Sequence, residues 1–135
     1  MSAFFDSNVV VYGAVASDAK AERAREYMRE GGVTSVQVLN EFANVLVRKF
    51  ARRWDEVREA EGDVRDLVEV MPLLVGTHDR ALTLAAHYGF GFYDALIVAS
   101  ALEASCDVLY TEDLQDGQKI EGLTIRNPFR GGKGR

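Results

Sequence analysis

Short apolar segments alternate with helical stretches along nearly the whole chain, and that order restricts the fold more than any single motif does. Ala3 to Phe5 predicts a buried strand running into the polar turn Asp6-Ser7-Asn8, and "VVVYGAV" continues it as a short helical turn. Asp18 to Glu30 is rich in Ala, Glu and Arg and stops at Gly31-Gly32, the pattern of a helix with a glycine end. "VTS" is a short strand, with Ser35 placed to cap a helix from about Val36 to Arg53. "WDEVREAEGDVRDLVEV" predicts another helix, weakened by Gly62 at its middle. "VMPLLV" reads as a strand that Pro72 confines to an edge or an end. Thr77 is placed to cap the next helix, which closes at Gly89, and Asp94 to Ala104 is a further apolar helix. "DVLYTED" is a strand leading into a loop, and "GLTIRNP" is a weak strand. Strands separated by helices imply crossover connections, so the expected fold is α/β with a mostly parallel sheet covered on both faces.

With 135 residues, 47% of them hydrophobic and 27% charged, the chain is expected to form one globular domain over 1–135. No repeat or low-complexity linker divides it, and its end, from about residue 130, is a basic glycine-rich tail. No apolar run approaches the ~18 residues that span a bilayer. The start carries no basic segment followed by an apolar one and a cleavage site, and Cys106 is the only cysteine. An intrachain disulfide and a cysteine zinc cage are excluded, and a cytoplasmic protein without membrane attachment is expected.

A formal net charge of −5 argues against nucleic-acid binding by bulk electrostatics but leaves local patches open. "VRKFARR" gathers Arg48, Lys49, Arg52 and Arg53, and "IRNPFRGGKGR" adds Arg126, Arg130, Lys133 and Arg135. Each is either a solvated surface or a phosphate-binding rim around an acidic centre.

Four acids lie far apart in sequence, each at the edge of an apolar segment: Asp6, Glu41, Asp94 and Asp113. Polar residues at the carboxyl ends of parallel strands meet in one crevice, and Asp6 and Asp113 follow strands directly. Two unit charges about 4 Å apart repel by roughly 4 kcal/mol at an effective dielectric near 20. Acids gathered this way make a metal site or a strained one, and the metal site is the reading adopted. Each acid also has an ordinary role open to it: Asp6 and Asp94 as helix caps or first-turn acids, Asp113 as a loop acid. Glu41 is awkward, because a stripe of Leu39, Phe42, Ala43, Leu46 and Phe50 places it nearly opposite, beside Val38, Val45 and Arg48.

Other chemistries are poorly supported. His78 and His87 have no companion carboxylate at ligand spacing, and no serine neighbours a histidine as a hydrolase triad needs. No phosphate-binding loop or dinucleotide fingerprint is present. Phe90, Phe92 and Tyr93 offer either a stacking surface for a base or plain core and turn residues.

Taken together, "FFDSNVVVY", "SVQVLNEFANVL", "FYDALIVASALEASCDVLYTEDL" and "QDGQKIEGLTIRNPF" resemble the PIN-domain ribonucleases, and within them the VapC-like toxins of toxin–antitoxin pairs. The resemblance covers nearly the whole chain and implies a three-layer α/β/α fold with four or five strands. It implies that Asp6, Glu41, Asp94 and Asp113 form the acidic quartet of a Mg²⁺- or Mn²⁺-dependent endoribonuclease. In that scheme Asp6 and Asp94 are direct metal ligands, Asp113 is a second-site or water-mediated one, and Glu41 orients or deprotonates the attacking water. Ser7 and Asn8 match the polar residues beside the first acid, and Asp116 is an extra acid beside the fourth. The partners implied are an RNA substrate, a cognate antitoxin that covers the acidic pocket, and a second copy in a homodimer. The alternatives are a PIN nuclease of RNA processing, or a non-catalytic module of the same fold that binds RNA or protein. A dehalogenase-type phosphatase would need an aspartate where Asn8 stands.

Overall fold

A computed structural model describes residues 2–130. The chain order is β1 (Ala3–Phe5), α1 (Ser7–Val15), α2 (Ala19–Arg29), β2 (Val33–Ser35), α3 (Val36–Phe50) and α4 (Trp54–Leu67). It continues with β3 (Glu69–Met71), α5 (Val75–Tyr88), α6 (Phe92–Glu103), β4 (Val108–Tyr110), β5 (Lys119–Ile120) and β6 (Leu123–Arg126). The strands form one sheet in the order β3-β2-β1-β4-β6-β5, parallel throughout except for β5, which pairs antiparallel with β6. Among the described residues no single helix is long and apolar enough to cross a membrane.

From β1 the chain builds outward through β2 to β3, then returns to the other side of β1 with β4 and β6. Right-handed crossovers put the two sets of helices on opposite faces. The contacts agree: α1 packs on α2 and α3, and α3 on α4, while α5 and α6 pack against each other. The mostly parallel three-layer fold expected from the sequence is therefore present. The sheet has six strands rather than four or five, because the end of the chain folds back as a hairpin. Lys119 pairs with Thr124 across the Glu121–Gly122 turn, and a two-residue strand is too short to carry an alternation signal.

The core sits where the central strands are covered on both faces. All of β1 and β4 is buried, and Phe4, Phe5, Leu109, Phe42 and Leu46 are among the most enclosed side chains. Gly32 matches a steric requirement: its φ is +153° and a Cβ there would lie 2.6 Å from the carbonyl oxygen of Ala3.

Several local expectations shift. α1 is a nine-residue helix rather than a single turn, because Asp6 caps it through the Ser7 amide. α3 ends at Phe50, not Arg53, since Ala51 takes a left-handed conformation (φ 55°) and Arg53 opens α4 by donating its amide to Glu56. Thr77 lies inside α5, which starts at Val75. Its hydroxyl oxygen still accepts from the Leu74 amide (3.3 Å), and its own proton goes to Glu103 (2.7 Å). α6 begins at Phe92, so Asp94 lies in its first turn. The basic glycine-rich tail expected at the end of the chain lies, from residue 131, outside the described residues.

Gly62 does not interrupt α4, and a Cβ at that position meets nothing within 4 Å. Gly62→Ala should therefore stabilise the protein by about 0.5–1 kcal/mol, through a less mobile unfolded chain. Denaturant melting checks this; a destabilised variant would mean that a side chain at position 62 meets a neighbour.

Candidate active site

The direction of chain travel reverses between β1 and β4, and an open parallel sheet leaves a crevice outside the carboxyl ends of such a pair. The register aligns Phe5 with Tyr110, so the residues following them, Asp6 and Thr111, emerge side by side. The Asp6 amide donates to the Tyr110 carbonyl (3.0 Å), which carries the pairing one step past the strands.

Asp6 is only 4% exposed. Its Oδ1 accepts from the Ser7 amide (2.7 Å) and its Oδ2 from the Thr111 hydroxyl (2.8 Å). Burial pushes its carboxyl up from 3.8 to about 6. The Thr111 and Ser7 hydrogen bonds resist that rise, and the charges of Glu41 and Asp113 reinforce it. The cap role open to Asp6 and the site role thus coincide in one carboxylate.

Asn8, the second residue of α1, spans the crevice. Its Nδ2 donates to Asp113 Oδ2 (3.0 Å) and to Thr111 Oγ1 (3.3 Å), and its Oδ1 accepts from the Glu112 amide (3.4 Å). The Asp113 amide closes the loop on Thr111 Oγ1 (3.1 Å), which leaves the exposed Asp113 carboxylate held at the rim. Asp94 comes from α6; burial first, then the charges of Asp113 and Glu41, raise its carboxyl above the ordinary value.

Glu41 does reach the crevice, contrary to the position periodicity gave it. The buried stripe of α3 is Val38, Phe42 and Leu46, with Phe50 exposed at the helix end. At about 100° per residue that stripe is rotated by roughly 55° from the expected one, which moves Glu41 from the far side to the flank. Gln37, one turn earlier, is buried. Its Nε2 donates to Glu41 Oε2 (3.1 Å) and to the Tyr93 carbonyl (3.3 Å), so it ties α3 to the residue before Asp94. Its Oε1 is buried without a partner.

Like charges link these acids in pairs. The charges acting on Asp6 are those of Glu41 and Asp113, and those on Asp94 are Asp113 and Glu41, all of one sign. Among the described residues, no three acidic, histidine or cysteine side chains are grouped so that they could hold a metal ion between them. A hard cation that keeps several waters needs only one or two protein carboxylates, and Asp6 and Asp94 are the two of the quartet that burial raises. The elevated carboxyl of Asp6 points the same way, since an unscreened acid is strained by what a cation would relieve.

Asp116 does not join them. Its Oδ1 accepts from the Asn127 amide (2.7 Å) and its Oδ2 faces Arg130 (3.7 Å), so it fastens the segment after β6. His78 and His87 are exposed. Thr111 and Gln37 were not singled out in the sequence. The signals available were a hydroxyl directly after an apolar strand, and an amide one turn from a glutamate.

The chain matches the sequence model of the PIN domain over residues 3–116, and it belongs to that family. No curated protein matches it in sequence. Among solved structures it is similar to the sarcin–ricin loop cleaving VapC toxin of Mycobacterium tuberculosis, with 20% identity and a TM-score of 0.69 over 83% of this chain and 90% of that one. A toxin–antitoxin complex from Klebsiella pneumoniae gives 18% identity and a TM-score of 0.72 over 95% and 98%. A VapBC complex from Rickettsia felis, bound to promoter DNA, gives 16% and 0.69 over 94% and 98%. At these identities the likeness establishes the fold.

Proposed function

We propose that the protein is a divalent-metal-dependent endoribonuclease and the toxin of a toxin–antitoxin pair. The observation that carries the reading is that Asp6, at the end of β1, and Asp94 each feel the like charges of Glu41 and Asp113. Membership of the PIN-domain family and likeness to VapC structures support it.

Asp6 and Asp94 would hold Mg²⁺ or Mn²⁺, with Asp113 at a second position or acting through water. Bound there, the ion supplies Lewis-acid polarisation of the phosphodiester and stabilises charge on the leaving oxygen. The remaining work falls to the chain. Glu41, held by Gln37, takes the proton of the attacking water as its oxygen bonds to phosphorus and the P–O bond to the leaving nucleotide breaks. Thr111 and the Ser7 amide fix the Asp6 carboxylate, and Asn8 fixes Asp113, so neither must reorganise when substrate arrives. In this reading an antitoxin covers the acidic crevice with a basic side chain, and a second copy of the chain completes a homodimer.

The test is incubation of the purified chain with end-labelled single-stranded RNA, in Mn²⁺ or Mg²⁺ and in excess chelator. Discrete fragments with metal and intact RNA with chelator are the expected result. RNA left whole under both conditions would remove the enzymatic reading.

A further inference from the structure

We propose that the groove between α1 and the last turns of α3 is a subsite for the nucleotide flanking the scissile phosphate of single-stranded RNA. The inference rests on the ribonuclease reading above and adds where the strand lies. The groove has a volume of about 330 Å³, and its walls include Ser7, Asn8, Tyr12, Lys49, Phe50 and Glu112. Two of its wall residues are bonded to the acids, the Ser7 amide to Asp6 and the Asn8 amide group to Asp113, so the groove borders the acidic residues. At its outer end α3 stops, and Phe50 is left 41% exposed instead of packing into the core.

Charge distinguishes the two ends. Among the described residues Arg48, Lys49 and Arg52 have no acidic partner, whereas the adjacent Arg53 is held by Asp55 and Glu56. A cluster of unneutralised cations beside an acidic crevice is the arrangement that draws a polyanion along a defined line. The wall near Glu112 is different. Lys20 Nζ donates to Tyr12 Oη (2.9 Å) and to Glu112 (3.3 Å), and lies 4.0 Å from the Tyr12 ring centre and 4.8 Å from that of Phe129. Its charge is spent there, so that wall is neutral and firm, suited to a base and not to a phosphate. The assignment is therefore a phosphate on Lys49 and a base held against the neutral Tyr12 wall with its face on the Phe50 ring. Stacking of this kind needs bases free of a duplex, and it tolerates every base because each has a π-face.

The test measures binding of fluorescein-labelled single-stranded RNA to the full chain carrying Asp94→Asn, which keeps the probe whole, by fluorescence anisotropy. Added Phe50→Ala should weaken binding about tenfold, and Phe50→Trp should retain it. Added Lys49→Gln should lower the slope of log affinity against log salt by about 0.7, the share of one phosphate on a single strand. Double-stranded RNA of the same sequence should show neither effect. In otherwise wild-type protein, Phe50→Ala should raise KM with little change in kcat, and its melting temperature reports whether the fold is intact. Unchanged binding by both Phe50→Ala and Lys49→Gln, with the fold intact, would overturn the subsite, as would equal losses on duplex RNA. A wild-type chain that cleaves nothing, yet whose Asp94→Asn form binds RNA through Phe50, would instead sink the nuclease reading and leave the subsite standing.

Discussion

Asp6→Asn should make the metal-free protein more stable at neutral pH while abolishing cleavage. The Asp6 carboxyl is raised from 3.8 to about 6, first by burial and then by the charges of Glu41 and Asp113. A shift of about two units corresponds to roughly 3 kcal/mol against the ionised folded state. The sign follows from the direction. A carboxyl raised in the folded state favours folding most below its unfolded value, and that contribution is lost as pH climbs through about 6. Asparagine is nearly isosteric, carries no charge and still caps a helix, although one of the hydrogen bonds from Ser7 and Thr111 weakens, at a cost of about 1 kcal/mol. The net gain expected near neutrality is about 1–2 kcal/mol, or a rise of roughly 5 °C in Tm. Calorimetry in chelator from about pH 4 to about pH 8 should show the variant's advantage growing with pH. Mn²⁺ should raise the Tm of the parent and not of the variant. An advantage that stayed flat with pH would mean that the charge on Asp6 is already compensated.

Glu41→Gln should reduce cleavage by about 10²- to 10⁴-fold, the range for removal of a positioned general base, with KM nearly unchanged. The substitution preserves size and leaves an amide that can still meet Gln37, so the loss would belong to the proton acceptor and not to the packing of α3. Gln37→Leu is the companion variant. It keeps the Glu41 carboxylate but removes the donor joining it to the Tyr93 carbonyl, and it should lower kcat by about tenfold through misplacement alone. Single-turnover cleavage with saturating RNA separates these effects from binding. Full activity in Glu41→Gln would take the proton transfer away from this residue.

Much of the layer order is legible in the sequence. The run Ala3–Phe5 followed by Asp6, and the run Val108–Tyr110 followed by polar residues, mark strand ends because a strand buried on both faces must stop where charge begins. Ser35 and Gly89 act as the helix punctuation they resemble, one bonding the Val38 amide and the other adopting a φ of 78°. Glu41 was illegible for an equally physical reason. The eye places the apolar stripe by counting large residues, so Phe50 pulled it off axis, yet Phe50 lies at a helix end with no core beneath it. β5 escaped because two residues carry no period, whereas its partner β6 lies in the segment expected as a weak strand. Sequence left open whether Asp116 or only Asp113 belonged to the site, and only the folded segment after β6 assigns Asp116 to Asn127 and Arg130.

Local sequence, through periodicity, capping residues and the points where apolar runs meet carboxylates, determined that helices alternate with short strands and that acids stand at strand ends. Tertiary structure alone decided which of those acids share a field. Thr111 bonds Asp6, and Asn8 bonds Asp113, across 105 positions of chain. Those pairings come from the parallel register of β1 with β4, a relation that no window of neighbouring residues contains. The raised carboxyl of Asp6 has the same origin, because burial and the nearness of like charges exist only once distant segments have closed around it.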